Sequence, residues 1–592
     1  MKTYALDFET YYDKTCSIRT LGPLGYFSHP QFDAYRVSVV GDDGYEYVGH
    51  PKGFDWYLLK GAIVLSHNAS FDETLYLYGV EQEWWPFYKP ENWYCTADMA
   101  AYCKLPRSLK GASAEAFGLD MDKSTRDNMA GKTWESMTAD FKEEVDGYAL
   151  KDSELCLKLW QKYKGGWPDN EKEISNLNRK IVQRGIPIDL GLLKESLEKV
   201  NLHLYDAEES IPWLGDKPLL SRLAFDDQCR LVGLEPPASL AQTDEQANQW
   251  VEYHGKKHKW IEAVRDWRRI NSLQKKLYSF EYATMPDSRY YGGMMYFGAH
   301  TGRFSGSGGN LNLQNLPREE MFGANLRHLI APKSDKKLIV VDLSQIEVRT
   351  LCWLAGDYKM LEDISKSEDI YEVFAKRFDL WGPAENFGAS TFKDDNPKLR
   401  HKVKALVLGC GYGVGVSRFA SMTGMSEEEA RRGISIYRNH MPRVKKYWEF
   451  LNQSIKKSWV CRGDLKLSLP SGRVLNYGAI KKVKGDTSFT DNFIAAIPRN
   501  GKKVPVRLWG GLLAENLSQA LARDVFAEMM TRVDKAGHKI IFHVHDELIV
   551  EAPSEEAEAT YKNIVDIMST PPEWIEDLPV AAEGSILTRY EK

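Results

Sequence analysis

Val340-Val341-Asp342-Leu343-Ser344-Gln345-Ile346-Glu347-Val348-Arg349 decides how this 592-residue chain is read. Leu338 to Val341 is an apolar run of strand character and Gln345 to Ala355 carries helical spacing, so Asp342 falls where a buried strand ends. A strand end holds a charged side chain in a fixed place while its backbone stays buried. A second such position lies far along the chain, in His543-Val544-His545-Asp546-Glu547-Leu548-Ile549-Val550. Ile540 to Val544 and Leu548 to Val550 read as two strands around a tight turn, which puts Asp546 and Glu547 at a hairpin tip. Asp342 and Asp546 converging on divalent cations would give the arrangement that in-line phosphoryl transfer uses. The pattern points to a nucleotidyl transferase.

Asp342-Leu-Ser-Gln-Ile-Glu-Val-Arg resembles the first palm motif of the DNA polymerase I family (family A), and His545-Asp546-Glu547 between apolar strands resembles its last. Arg400-His-Lys-Val-Lys404-Ala-Leu-Val-Leu408-Gly-Cys-Gly-Tyr412-Gly413 is similar to the family's fingers-helix motif. Thr301-Gly302-Arg303-Phe-Ser and Asn312-Leu-Gln314-Asn-Leu-Pro317 resemble its primer-strand segment. The resemblance implies a right-hand polymerase domain over 166–592, with a thumb at about 190–285, a palm at about 286–354 and 506–592, and fingers at about 355–505. It implies that Asp342 and Asp546 ligate metal, that the Leu343 carbonyl completes the second ion's site, and that Glu547 supports them.

Arg400, Lys404, Leu408 and Tyr412 recur every four residues and so drift slowly around one side of a helix, although Gly409, Gly411 and Gly413 weaken it. By the resemblance, Arg400 and Lys404 grasp the triphosphate, Lys404 can protonate the departing pyrophosphate, and Tyr412 lies against the templating position. Gln345 and Tyr371 join the nucleotide contacts, and Glu347 is similar to the steric gate that fills the space of a ribose 2′-hydroxyl. Arg303, Gln519 and His545 are expected at minor-groove acceptors, with Asn312, Gln314, Lys275 and Lys276 as further DNA contacts. Three positions depart from the family's pattern. Leu408 stands in place of an aromatic residue on the incoming sugar, Tyr371 in place of a phosphate-contacting His, and Glu515 in place of Asn.

Upstream, Tyr4 to Thr10 and Tyr35 to Val40 alternate as strands do, and Ala139 to Lys164 has helical periodicity, which suggests an α/β domain ending near Gly165-Gly-Trp-Pro168. Asp7 and Glu9 are two apart on a strand and share its face. Asp72 follows the apolar run Ala62 to Leu65, and Tyr148 and Asp152 lie four apart on a helix. Any one of these acids alone reads as a solvated surface carboxylate. Together they could hold two metals, with Tyr148 orienting the attacking water. Asp-x-Glu, Asn-x-x-Phe-Asp and Tyr-x-x-x-Asp resemble the three motifs of proofreading 3′–5′ exonucleases, which implies a ribonuclease H-like domain over 1–165. The fold class expected is thus multidomain α/β.

Hydrophobic content of 43% and charged content of 27% are those of a soluble globular protein. Eight scattered cysteines form no CxxC pair, and no signal-peptide core or membrane-length apolar run is visible, so a reducing cytoplasm is expected and no membrane partner. A net charge of −5 is unusual for a DNA binder. It is concentrated in residues 1–160, which hold 25 acidic and 16 basic side chains; the remainder is net positive, with basic clusters at Arg265 to Lys276, Lys398 to Lys404 and Lys502 to Arg507. The expected cofactor is Mg²⁺, two ions per site, with Mn²⁺ able to substitute. Expected partners are primer–template DNA and dNTPs, with helicase, primase or single-strand-binding protein beyond them, and the chain is expected to act as a monomer.

A chain that starts on its exonuclease motif leaves no room for a 5′-nuclease domain, a brevity that resembles the standalone replicative polymerases of bacteriophages. The stretch from Asp189 to Thr301 is close to what a plain thumb requires and leaves no space for a processivity-factor insertion. A dedicated nuclease with a DNA-holding platform, a pure DNA-binding subunit and an RNA polymerase of related fold are the competing readings. Intact Asp342, Lys404 and Asp546 argue against the first, Asp7, Glu9, Asp72 and Asp152 against the second, and Glu347 with the exonuclease motifs against the third.

Overall fold

A computed structural model describes residues 1–119, 124–241, 244–306, 311–367, 369–380, 392–484, 491–499 and 502–591. Strand β1 (Thr3–Glu9) lies at the centre of a five-stranded sheet, which is why the run Tyr4-Ala5-Leu6 is apolar on both faces. The order is β3-β2-β1-β4-β5, with β2 (Arg36–Gly41) and β3 (Glu46–Gly49) antiparallel on one side and β4 (Ile63–Ser66) and β5 (Asn92–Cys95) parallel on the other. Helix α1 (Ala69–Glu81) follows β4, and α2 (Ser124–Met129) precedes the long α3 (Ala139–Tyr163). Thr138 caps α3 by accepting the Phe141 N–H at 3.3 Å. Val145 and Ala149 press this helix onto the sheet, and the Ser38 hydroxyl donates to the Ala149 carbonyl at 2.8 Å.

After the Gly165–Pro168 break comes α4 (Asp169–Arg184), whose first turn carries Asp169 and Glu171 beside the positive end of the helix. The described part of residues 190–285 is mostly helical, as its Leu, Glu, Lys and Gln content predicts. Helices α5 (Leu190–Glu209) and α6 (Lys259–Ala283) pack along one another, with Arg222–Leu231 and Glu245–Gly255 between them in sequence.

The second sheet is built around β6 (Lys336–Leu343). It has the order β7-β8-β6-β9, all antiparallel, with β7 (Ile540–Val544), β8 (Glu547–Pro553) and β9 (Ala582–Leu587). Helix α7 (Ile346–Leu354) leaves β6 through Gln345, whose φ of 45° makes the sharp turn between strand and helix. Between β6 and β7 the chain is mostly helical, including α8 (Pro397–Cys410), α9 (Pro442–Val460) and the buried α10 (Gly510–Lys535). A hairpin of Asp464–Ser468 with Val474–Ala479 and a three-stranded sheet of Lys481–Lys484, Asp491–Arg499 and Lys502–Leu508 also lie there. The sequence reading did not anticipate them.

Two local expectations are corrected. Glu547 is not at the hairpin tip; it is the first residue of β8, paired with both Val544 and Asp342, so the turn is His545-Asp546 with His545 at φ 55°. Tyr412 does not continue the helix of Arg400, Lys404 and Leu408, because α8 stops at Cys410 and Gly413 takes a φ of 74°. The glycines there cost helix stability and supply that left-handed backbone. Among the described residues no helix is long and apolar enough to cross a membrane, and all eight cysteines are free thiols.

Candidate active sites

Alternation along β1 puts Asp7 and Glu9 on one face of the first sheet, and α1 brings Asp72 to the same place, where it accepts the Phe8 N–H at 3.2 Å. Asp72 is 2% exposed and Glu9 9%. Helix α3 sets Tyr148 and Asp152, one turn apart, over that face. Burial pushes Glu9 up to about 8, with Asp152 and Asp72 adding repulsion against the pull of Arg126. Burial likewise pushes Asp72 up to about 7, and Asp7 well above the carboxylate range, with Asp72, Glu9 and Asp152 adding to the effect on Asp7. Tyr148 is held protonated by burial and by the charge of Asp152.

Buried like charges at this density are what a cation would relieve, and all-oxygen donors suit a hard divalent ion, so the donor set fits the expected metal. Among the described residues, no group of three or more His, Cys, Asp or Glu side chains stands ready to hold an ion. The acids nevertheless act on one another across one buried patch.

A pH dependence follows, and its sign is fixed by the direction of the shifts. Folded Glu9 and Asp72 retain protons that the unfolded chain releases near pH 4 to 4.5, so folding is favoured below that range and loses stability as pH rises towards 7 to 8. In a chelator, the thermal midpoint should fall from pH 5 to pH 8, at about 1.4 kcal/mol per pH unit for each proton involved. Asp72→Asn should flatten that fall, and millimolar Mg²⁺ should raise the midpoint more at pH 8 than at pH 6. Superimposable melting profiles for wild type and Asp72→Asn across this range would contradict the assignment.

Sequence reasoning missed Arg126 on α2. The Tyr12 hydroxyl donates to its backbone carbonyl and the Thr125 hydroxyl ties α2 to Glu144 on α3, while the guanidinium draws Asp7 and Glu9 down. No spacing rule marks an arginine outside the three acidic motifs. Only the packing of α2 against α3 brings it there.

The second group forms where β6 and the β7–β8 turn meet. Register places Asp342 opposite Glu547, and the Leu343 N–H donates to the Asp546 carbonyl at 3.1 Å, so Asp342 and Asp546 are neighbours across the strands. Burial raises Asp546 to about 6, opposed by its own backbone hydrogen bond and by Arg303, with Asp342 and Glu347 contributing repulsion. Burial and then Arg303 lower His545. Glu547 is buried and accepts the Tyr590 hydroxyl at 2.7 Å, which makes it a support behind the turn. Glu347 is clamped from two sides: Arg303 forms an ion pair with it, and the Tyr412 hydroxyl donates to it at 3.3 Å.

On α8, Lys404 and Leu408 are exposed, Leu408 at 48%. The Arg400 guanidinium donates to Asp369 at 2.6 Å and sits 5.0 Å from the Tyr371 ring centre. Tyr371 is 4% exposed, so it is a buried shelf under Arg400 and not a group facing solvent, where a triphosphate would arrive. On α10, Gln519 donates to Glu515 at 3.3 Å; burial and then Glu347 push the Glu515 carboxyl up. Asn312 accepts the Gln314 N–H at 3.0 Å, and Gln314 donates to the Phe304 carbonyl at 3.3 Å. One cavity is lined by Arg303, Phe304, Gln314, His545, Asp546 and the unforeseen Arg523. Lys275 and Lys276 lie on α6, outside both groups.

The family model for DNA polymerase family A matches residues 225–464. The DNA polymerase of Bacillus phage SP02 is 25% identical, with all of both chains covered. The thermostable DNA polymerase I of Thermus aquaticus is 22% identical over 76% of this chain and 52% of its own length, and that of Thermus thermophilus 24% identical over 75% and 51%. The chain thus spans about half the length of these Thermus proteins. The fold matches that of the POL domain of Pol1 from M. smegmatis, solved in complex with DNA primer-template and dNTP, at a TM-score of 0.69 and 19% identity, covering 100% of this chain and 95% of that one.

Proposed function

Since the chain belongs to DNA polymerase family A, we propose that it copies a DNA template by adding deoxynucleotides to a primer 3′-hydroxyl and removes mispaired 3′ ends at a separate site. The observation that carries the first half is the strand register that makes Asp342 and Asp546 neighbours at the edge of a cavity also lined by Arg303 and Gln314. The second half rests on Asp7, Glu9, Asp72, Tyr148 and Asp152 on one buried face. It is further supported by the sheet order β3-β2-β1-β4-β5, with one antiparallel and one parallel flank, which is the arrangement of a ribonuclease H-like fold. The layout proposed is an exonuclease domain at 1–165 followed by a right-hand polymerase domain at 166–592. The whole-length likeness to a phage polymerase supports a role in phage DNA replication.

Mg²⁺, or Mn²⁺ in its place, would be held by Asp342, Asp546 and the Leu343 carbonyl at one site and by Asp7, Glu9, Asp72 and Asp152 at the other. Bound there, it would supply charge neutralisation and activation of the attacking oxygen. The chain's own groups do the rest. Arg400, oriented by Asp369, and Lys404 face an incoming triphosphate, and the Lys404 ammonium is the proton source for pyrophosphate. At the other site the protonated Tyr148 hydroxyl orients the attacking water.

Glu347, gripped by Arg303 and Tyr412, has little freedom to swing away from a 2′-hydroxyl. Glu347→Ala should raise the use of ribonucleotides relative to deoxynucleotides by about tenfold or more, since filling or emptying such a space is worth about 1–3 kcal/mol. The overall rate should also fall, because two partners lose their anchor. Competition assays with paired ribo- and deoxynucleotides read the ratio, and an unchanged ratio would remove Glu347 as the gate. The proposal as a whole is tested by primer extension with Mg²⁺, with and without dNTPs: extension in one lane and 3′ shortening in the other are expected.

A further inference from the structure

The helix between the two candidate sites carries a buried charge that neither site uses. Glu171, in the first turn of α4, is 4% exposed, and Arg523 on α10 is 3% exposed. Both terminal nitrogens of Arg523 donate to the two oxygens of Glu171, one of them at 2.9 Å, although the residues are 352 positions apart. The Tyr296 hydroxyl donates to Glu171 at 2.6 Å, and Asp524 accepts from Arg523 at 3.2 Å. Burial pushes the Glu171 carboxyl up, but the Arg523 guanidinium outweighs it and holds the group below its ordinary value, so the pair is ionic. A buried ion pair is a poor way to gain stability, since apolar side chains of the same volume do as well or better. Its geometry, however, fixes a guanidinium in two dimensions.

What that guanidinium touches suggests why it is fixed. Arg523 lies one turn beyond Gln519 on the same helix, so the two share a face. Its charged end sits 5.5 Å from the ring centre of Phe304, the residue after Arg303, and that ring also packs on Tyr296, at 6.3 Å between centres, and on His543, at 4.5 Å between centres and two residues before His545. Arg523 and Phe304 also line the cavity of Arg303, Gln314, His545 and Asp546. A second tie from α4 reaches the same layer, where Asn178 bonds His543 at 3.3 Å and donates to the Met294 carbonyl at 2.6 Å.

We propose that Glu171 is a positioning residue of the polymerase site: by clamping Arg523 it sets the Phe304–His543 layer on which Arg303, His545 and Asp546 stand. This rests on the polymerase reading given above. The triphosphate groups Arg400 and Lys404 lie on α8, away from this layer, so the effect should fall on turnover and not on nucleotide affinity.

The test is steady-state single-nucleotide addition by the full chain. Glu171→Gln should lower kcat about tenfold or more, leave the KM for dNTP within about twofold, and leave 3′ degradation of a single-stranded oligonucleotide within about twofold. In an Arg523→Gln background, Glu171→Gln should cost little more. Losses that multiply in the double variant, loss of both activities together, or a wild-type kcat would each overturn the proposal. Should Glu171→Gln fail to fold, Glu171→Asp keeps the charge with a shorter reach and should show the same kcat-only loss in smaller measure; an unaltered kcat would overturn the proposal equally. Asp546→Ala run alongside separates the two levels. If Asp546→Ala extends normally, the polymerase reading has failed; if it is inactive while Glu171→Gln behaves as wild type, only this inference falls.

Discussion

Asp546→Ala should abolish primer extension, by about a thousandfold or more, and leave 3′ degradation intact. That factor corresponds to about 4 kcal/mol of transition-state stabilisation, the scale expected when a carboxylate facing the reacting phosphate is lost. The substitution should not unfold the chain. The Asp546 side chain is destabilised by burial and by the repulsion of Asp342 and Glu347, and the bond that ties the turn to β6 uses the Asp546 backbone carbonyl, which alanine keeps. Extension is read on a primer–template with all four dNTPs, and degradation on a single-stranded oligonucleotide in their absence. Parallel loss of both activities would mean that the two acidic groups are one functional unit.

Asp72→Ala should have the reciprocal outcome. Loss of 3′ degradation by about a thousandfold or more is expected, with extension preserved, because Asp72, on α1, acts on Asp7 together with Glu9 and Asp152, while the polymerase carboxylates Asp342 and Asp546 stand at the second sheet. Its carboxyl accepts the Phe8 N–H at 3.2 Å, and Ser66 also bonds to it. Removing the carboxyl relieves repulsion on Asp7, so near neutral pH in chelator the variant should be no less heat-stable than wild type. Continued degradation by Asp72→Ala at the wild-type rate would place hydrolysis elsewhere.

What the sequence disclosed was whatever local spacing encodes. The strand around Asp7 and Glu9, the helix carrying Tyr148 and Asp152, and the strand-then-helix around Asp342 were legible because period-2 and period-3.6 patterns there agree with the burial that tertiary structure imposes. The position of Glu547 was misjudged by a single residue, since a two-residue turn and a three-residue turn look alike until the partner strand fixes the register. Tyr412 was carried too far along a helix because the four-residue spacing outweighed the glycines that end it. Tyr371 could not be known to be buried, since a tyrosine in a short amphipathic helix faces either way. Arg126, Arg523 and Glu171 were invisible for a different reason. Their partners lie on other elements, up to 352 positions away for Glu171 and Arg523, and a lone Arg or Glu in a helix has the same local signature whether it is solvated or paired in the core.

On the proposed reading, one chain carries two separable chemistries at two acidic sites. The most direct measurement is a single 5′-labelled primer–template incubated with the purified wild-type chain, Asp72→Ala and Asp546→Ala, in Mg²⁺ with and without dNTPs. Expected are extension with dNTPs and 3′ shortening without them for wild type, extension alone for Asp72→Ala, and shortening alone for Asp546→Ala. Wild type that neither extends nor shortens the primer, or a single variant that loses both reactions while remaining folded, would contradict it.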